Sequence, residues 1–172
     1  MITCFLKGGL GNQLFQIFAT IAYSLDNKFP FKFLRVEMAP SVTRRTTYWD
    51  NFLKSLYFFT LTEVPVNMSY VDHNMFHHVP IPICNGKNED ICFNGYFQSY
   101  KYFDRRKEDI FRLIQVAPQQ KKLLEKCNLS SMENTISMHF RLGDYIELSH
   151  THPIIEKEYY RNALVKILSK NS

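Results

Sequence analysis

The first 36 residues constrain the fold more than any other part of the chain, because their hydrophobic pattern changes period twice. Residues 2–6 are a short apolar run that predicts a buried strand. From Leu14 onwards apolar residues recur with a helical period, and Asn12 is a natural N-cap for that helix. Residues 31–36 alternate and predict a second strand. A strand, a helix and a strand in this order build parallel sheets, so the sequence predicts an α/β domain with a parallel sheet.

Further elements follow along the chain. Apolar periodicity predicts strands over residues 91–96 and 135–140, and helices over 48–56, 103–113, 119–127 and 156–170. Residues 57–85, rich in Pro, Asn and His, predict irregular structure or short extended segments. The polar stretch 128–133 predicts a boundary between a domain over 1–133 and a second unit over 134–172. One strand and one helix cannot cover a parallel sheet, so the second unit is expected to be the truncated start of another domain.

Composition excludes several classes of protein. The chain is 45% hydrophobic and 22% charged, which is typical of a folded globular protein rather than a disordered one. A net charge of +5 favours anionic partners such as a nucleotide diphosphate. Nucleic acid is not expected as a partner, because the basic pairs are scattered over Arg44–Arg45, Arg105–Arg106 and Lys121–Lys122.

Targeting and metal-binding signals are also absent from the sequence. Met1 leads directly into the first strand, and no stretch approaches the ~18 apolar residues of a membrane helix. A soluble cytoplasmic protein of microbial or viral type is expected, or a membrane-associated or Golgi protein if an anchor has been removed. The four cysteines form no C-x-x-C pair, and the histidines around His73 and His77 are interpreted as surface residues, so no metal site is predicted.

The glycine-rich loop after the first strand is the first candidate site. Free N–H groups at the start of a helix make an anion site, and Gly9-x-Gly11 begins like a dinucleotide fingerprint. Leu14 replaces the third glycine, and no Gly-Lys-Ser/Thr follows, so neither a complete fingerprint nor a P-loop is present. The loop is therefore either a tight turn without a ligand or a binding loop. The adjacent amides of Asn12 and Gln13, which suit sugar hydroxyls, favour a binding loop.

The second candidate is His139-Phe140-Arg141-Leu142-Gly143-Asp144-Tyr145, which follows a predicted strand. Open α/β sheets bind ligands at the carboxyl ends of their strands. Arg141 can grip a phosphate with two parallel hydrogen bonds, and Gly143 allows a positive φ or a close approach of the backbone. The alternative is an ion pair between Arg141 and Asp144 that only shapes the turn.

A third segment runs from Asn94 to Phe103 and is rich in aromatic residues. Its aromatic side chains suit either stacking on a sugar or ordinary core packing. Gln98 is its one predicted ligand contact.

Taken together, these segments resemble glycosyltransferase family 11, the α-1,2-fucosyltransferases. Gly8 to Gln16 is similar to the opening of that family, and Asn94 to Phe103 to its Gly-Tyr-Phe-Gln-Ser segment. His139 to Tyr145 resembles the His-x-Arg-Arg-Gly-Asp-Tyr motif, which α-1,6 and protein O-fucosyltransferases share in related forms. The three matches occur in the right order and span nearly the whole chain.

The resemblance implies a GT-B-like fold with two Rossmann-like domains, the first on the acceptor side and the second binding the donor. It implies transfer of L-fucose from GDP-fucose to a galactoside hydroxyl, with inversion and with neither metal nor other cofactor. Arg141 would hold the diphosphate and share the catalytic role with Asp144, and His139 and Gly143 would shape the donor pocket. The residues implied on the acceptor side or in the cleft are Gly9, Gly11, Asn12, Gln13 and Gln98.

Two departures from the family pattern qualify this assignment. Leu142 stands where the second Arg of the motif is common, which removes one positive charge. Family members also continue for ~100 residues or more, the length of another domain. The alternative hypothesis is therefore a non-catalytic remnant that acts as a carbohydrate-binding or interaction domain. A nucleotide oxidoreductase with an incomplete fingerprint is a weaker third hypothesis.

Overall fold

A computed structural model of the chain describes residues 1–35, 46–75, 77–83, 90–133, 135–140, 142–143, 146, 150 and 153–170. The chain divides into two compact units, Met1–Cys127 and Asn128–Ser172. The functional division into an acceptor-side and a donor-binding domain stays a prediction.

The first unit is built on parallel strands. Its described residues form β1 (Ile2–Cys4), β2 (Phe33–Leu34), β3 (Thr60–Leu61), β4 (Met68–His73) and β5 (Asp90–Gly95). One sheet has the order β1-β5-β4, and β2 pairs with β3, all in parallel. A parallel bridge between Ile2 and Phe31 links the two sheets beside β1. The predicted α/β, Rossmann-like sheet is confirmed, whereas the two-domain GT-B arrangement stays a prediction.

Helices cover the sheet and the connections. The α-helices of the first unit are α1 (Leu10–Asn27), α2 (Lys107–Leu113) and α3 (Val116–Lys126), and short 3-10 helices span Lys54–Phe59, Tyr100–Tyr102 and Asp104–Arg106. None of the helices in the described ranges is both long and apolar enough to cross a membrane.

The core lies between α1 and the sheet. Ile17 and Ile21 of α1 are fully buried, and the Tyr23 ring meets the Phe93 ring of β5 edge-on, with centroids 5.0 Å apart. Phe18 makes a similar edge contact with Phe103 at 5.3 Å. Each such buried side chain contributes roughly 1.5–3 kcal/mol relative to an exposed one, which explains why the helical period from Leu14 was a strong signal.

Two secondary-structure predictions for the first unit are wrong. The helix α1 begins at Leu10 with Gly9 as N-cap, because the N–H of Gln13 already donates to the Gly9 carbonyl at 3.0 Å. Asn12 is therefore inside the helix and does not cap it. Residues 48–56 contain turns and the start of a 3-10 helix rather than an α-helix, since the buried Leu53 and Leu56, three residues apart, share one face of a three-residue turn.

Residues 57–85 contain the short strands β3 and β4, which agrees with the irregular or short extended structure predicted there. The strand β4 has only one sheet neighbour among the described strands, and most of its side chains are exposed or half-buried. An edge strand of this kind has no clean apolar alternation, so its pattern did not define where the strand begins and ends.

The second unit contains the helix α4 (Lys157–Leu168), which confirms the helix predicted over 156–170. The predicted strand over 135–140 is wrong, because these residues are exposed and form no strand. A strand needs a hydrogen-bonded neighbour, and the described residues of this unit supply none. Within the unit, the rings of Phe140 and Tyr160 lie 4.5 Å apart.

Candidate functional site

The carboxyl ends of β1, β5 and β4 meet at one edge of the sheet, because the three strands are parallel. Open α/β sheets place their ligand sites at this edge. The loop from β1 to α1 and the residues that end β4 and β5 all emerge here.

Gly8 makes the sharp turn that leads into α1. Its φ is +78°, and a Cβ at this position would lie 2.6 Å from Nδ2 of Asn12, so only glycine fits without a shift. Gly9 and Gly11 differ, because a Cβ on either would meet nothing within 4 Å. The outer side of the loop is therefore open, as a ligand that approaches the helix N-terminus requires.

The side chains of two buried glutamines form hydrogen bonds with the backbone of the glycine loop. Gln16, fully buried, accepts from the Lys7 N–H at 3.0 Å and donates to the Lys7 carbonyl at 3.1 Å. Gln13 donates to the Gly8 carbonyl at 3.0 Å and accepts from Thr47 Oγ1 at 2.7 Å. Gln13, predicted as a sugar contact, is thus 2% exposed, and its side chain positions the loop.

Asn12 and Gln98 bring two of the sequence motifs together. Nε2 of the exposed Gln98 donates to Oδ1 of Asn12 across 2.8 Å, although the residues are 86 positions apart. Phe97, buried and with a φ of +51°, turns the chain after β5 so that Gln98 projects outwards. The site residues predicted on Gly9, Gly11, Asn12 and Gln98 therefore lie on one polar face.

Three further polar residues at this edge were not predicted as site residues. Nζ of Lys7 donates to Oδ1 of Asn94 at 2.9 Å, and Nδ2 of Asn94 donates to Oδ1 of Asp72 at 2.6 Å. The Lys7 ammonium also lies 5.0 Å from the centroid of the Tyr96 ring. A cation just after β1, an amide near the end of β5 and an exposed carboxylate near the end of β4 thus lie side by side. Lys7 precedes the glycine loop and Asn94 begins the aromatic segment, whereas Asp72 lies in a stretch where no individual strand was predicted.

His73 and Gly95, the last residues of β4 and β5, pack against each other at the same edge of the sheet. His73 is buried, not a surface residue as predicted, and its Nε2 lies 3.1 Å from the Tyr102 hydroxyl and 3.2 Å from the Val79 carbonyl. A Cβ on Gly95 would collide with the His73 carbonyl oxygen, so the close approach of β4 to β5 depends on glycine. This contact fixes the register that brings Asp72 opposite Asn94.

The predicted donor motif belongs to the second unit. Arg141 and Asp144 lie outside the described residues. His139 is exposed, and its carbonyl accepts a hydrogen bond from the Tyr160 hydroxyl at 3.2 Å. Gly143 has a φ of +57° and open space around it, as expected of a turn that allows a close ligand. Leu142 is exposed, so the residue that departs from the family motif does not face a core.

Two buried thiols, Cys4 and Cys92, lie in the strands β1 and β5. Burial raises the pKa of the Cys4 thiol to about 12 and that of Cys92 to about 11. Both are therefore neutral and unreactive near neutral pH. Within the part of the chain that the structure describes, no group of three or more His, Cys, Asp or Glu residues is arranged to hold a metal ion.

The fold and the edge together define the class of this protein: a Rossmann-like α/β protein with an open, polar site at the carboxyl ends of parallel strands. The chain is similar to the O-antigen biosynthesis glycosyltransferase WbnK of Escherichia coli. The two are 26% identical over 207 aligned positions, which cover 95% of this chain and 67% of the relative. No protein family model and no solved structure matches the chain.

Proposed function

We propose that the chain acts as a glycosyltransferase in glycan synthesis. Its similarity to a glycosyltransferase of O-antigen biosynthesis extends over nearly its whole length, which supports the reaction class. We further propose that it moves L-fucose from GDP-fucose to a galactoside hydroxyl in α-1,2 linkage, with inversion. The three motifs that resemble the α-1,2-fucosyltransferases support this finer assignment.

The hydrogen bond between Asn12 and Gln98 is the single observation that carries the proposal. The two motifs were matched to the family separately, and nothing in their spacing required them to meet. Side-chain amides can donate to and accept from sugar hydroxyls, and this pair lies on the open side of the glycine loop. The pairing therefore supports an acceptor-binding role for this edge.

The exposed carboxylate of Asp72 suits the proton transfer that the reaction requires. As the acceptor hydroxyl attacks the anomeric carbon, it loses its proton, and a general base accelerates this step. Asn94 orients one carboxylate oxygen of Asp72 through its 2.6 Å hydrogen bond, and Lys7 orients Asn94 in turn. Asp72 thus joins Asp144 as a proposed catalytic carboxylate.

Arg141 is the proposed partner of the donor diphosphate. Negative charge develops on the β-phosphate as the bond to fucose breaks, and a guanidinium stabilises that charge without a metal. His139 and Gly143 are proposed to line the same donor pocket. No step in this scheme requires a metal ion, so transfer is expected to continue in a chelator.

A donor panel tests the proposal. The 172-residue chain is incubated with a β-galactoside acceptor and GDP-fucose, GDP-mannose or UDP-galactose, and products are detected by mass spectrometry. A fucosylated product from GDP-fucose alone supports the full proposal, and a product from another donor supports only the reaction class. Binding of the galactoside without binding of GDP, measured by calorimetry, would instead support the alternative of a non-catalytic carbohydrate-binding domain.

A further inference from the structure

A groove of about 740 Å³ lies on the first unit, beside the C-terminal half of α1. Its volume is within the range of about 300–1,000 Å³ that is usual for small-molecule sites. Tyr23 and Asn27 of α1 line one side of the groove, and residues near His78 line a second side. Tyr100 lies on the third side. The site at the strand ends does not include this groove, although Tyr100 to Tyr102 belong to the aromatic segment Asn94 to Phe103.

Aromatic side chains line the groove. Tyr100 is 60% exposed, which leaves most of its surface available to a ligand. Behind it, the rings of His78 and Tyr102 lie 4.6 Å apart. The Tyr23 hydroxyl donates a hydrogen bond to the Pro82 carbonyl at 2.9 Å. This bond holds the stretch from His78 to Pro82, which forms one side of the groove, against α1. An exposed ring beside polar groups is the arrangement that stacks on the C–H face of a sugar.

The charges that line the groove cancel. Asp26 and Asp104 oppose Lys101 and Arg105, and Asp26 is itself paired with Arg105 and Arg106. A site for a nucleotide diphosphate is expected to be strongly positive. A groove with no net formal charge, aromatic surface and hydrogen-bonding side chains suits a neutral ligand with many hydroxyls.

The segment that follows β5 connects this groove with the site at the strand ends. Gln98 contacts Asn12 near the start of α1, and Tyr100, two residues later, lines the near end of the groove. From Asn12 to Tyr23 the helix rises by roughly 16 Å. The groove therefore begins beside the amide pair at Tyr100 and extends along α1 over several sugar lengths to Tyr23.

We propose that this groove is a second carbohydrate subsite, which binds the inner sugars of a neutral oligosaccharide whose terminal galactose lies at the amide pair of Asn12 and Gln98. Naming the ligand as the acceptor rests on the proposed function, whereas oligosaccharide binding in the groove does not. Tyr100 is the stacking residue of this subsite.

Calorimetric titration of the 172-residue chain with a galactose-terminated neutral tetrasaccharide tests this proposal. Tyr100→Ala is expected to weaken binding about two- to tenfold, because stacking on an aromatic ring contributes about 0.5–1.5 kcal/mol. Tyr100→Phe keeps the ring and is expected to bind like the wild type. Tyr70→Ala is the matched control, because Tyr70 is 54% exposed on the same unit and does not line the groove.

The outcomes separate the two proposals. If the tetrasaccharide does not bind the wild-type chain at millimolar concentration, or if Tyr100→Ala binds it as well as Tyr70→Ala does, the subsite proposal is overturned. If Tyr100→Ala alone weakens binding while no donor yields a product, the subsite stands and the proposed function fails. Thermal melting of each variant shows whether a loss of binding is a loss of folding.

Discussion

Gln98 donates a hydrogen bond from Nε2 to Oδ1 of Asn12 across 2.8 Å, which joins the segment after β5 to the first turn of α1. Gln98 is exposed and Asn12 half-buried, so the bond lies at the surface of the carboxyl edge. A surface hydrogen bond of this kind contributes little to stability, which makes a role in ligand binding testable separately from folding.

The amide pair gives the first prediction. Asn12→Ala and Gln98→Ala are each expected to change the free energy of unfolding by no more than about 0.5 kcal/mol. Each is expected to weaken binding of a galactoside about two- to tenfold, since one hydrogen bond contributes about 0.5–1.5 kcal/mol. In the double variant the losses should be less than additive, because the residues act as one unit. Additive losses, or a large fall in stability, would contradict a shared binding role.

The glycine loop gives a second prediction with an internal control. Gly8→Ala forces a side chain into a left-handed φ and against Nδ2 of Asn12, so we expect a destabilisation of about 1–3 kcal/mol. Gly11→Ala introduces a Cβ into open space within α1, so it should stabilise the chain by about 0.5–1 kcal/mol. Urea unfolding of both variants measures the difference. Equal effects of the two substitutions would show that the Gly8 turn is not required.

Asp72 gives a third prediction, which concerns the proposed proton transfer. Asp72→Asn retains the size of the side chain but cannot accept the proton, so transfer should slow by about 10²–10⁴-fold. Asp50→Asn, another exposed carboxylate of the first unit, is the control and should leave the rate unchanged. An unchanged rate in Asp72→Asn would remove Asp72 from the mechanism and leave Asp144 as the proposed carboxylate.

The buried thiols give a fourth prediction, on pH dependence. Burial raises the pKa of Cys4 to about 12 and of Cys92 to about 11, whereas an unfolded thiol ionises near pH ~8.5. The folded state therefore holds these protons more tightly, and their contribution to stability is complete below pH ~8.5. It falls as the pH rises through about 9 towards 11–12, because the unfolded thiols ionise first.

Urea unfolding at pH 8 and pH 10 measures this loss. Variants that replace each thiol with alanine should lose less stability between the two pH values than the wild type does. Alkylation mapped by mass spectrometry is a second readout. The exposed Cys127 should react at pH 8 in the folded chain, whereas Cys4 and Cys92 should react only after unfolding. Rapid alkylation of Cys4 in the folded chain would contradict its burial.

The parts of the fold that were predictable from the sequence are those with a strong hydrophobic period. The strands β1 and β5 and the helices α1 and α4 carry such a period, and all four are present. The bounds of the polar strand β4 were not predicted because it lies at the edge of its sheet and has no clean alternation. The strand expected over 135–140 rested on an alternation of polar and apolar residues, but such a segment forms a strand only beside a hydrogen-bonded neighbour.

The candidate site was predictable only where a local motif marks it. Gly8 and the residues after it were identified because a sharp turn between a strand and a helix requires glycine. The chain of side-chain hydrogen bonds from Lys7 through Asn94 to Asp72 was not predictable, because it joins three strand ends that are distant in sequence. The burial of Gln13 was missed for a similar reason, since its partner Thr47 is 34 residues away.

The central claim, sugar transfer from a nucleotide donor, is tested most directly by the rate of fucose transfer from GDP-fucose to a β-galactoside in wild type, Arg141→Ala and Arg161→Ala. Arg161 is an exposed arginine that pairs only with Glu158 among the described residues, so its removal should leave the rate unchanged. Arg141→Ala is expected to retain the fold and lose about 10²–10³-fold in rate, or about 2.7–4 kcal/mol of transition-state stabilisation. Absence of transfer in the wild type, or an equal rate in Arg141→Ala and Arg161→Ala, would contradict the claim.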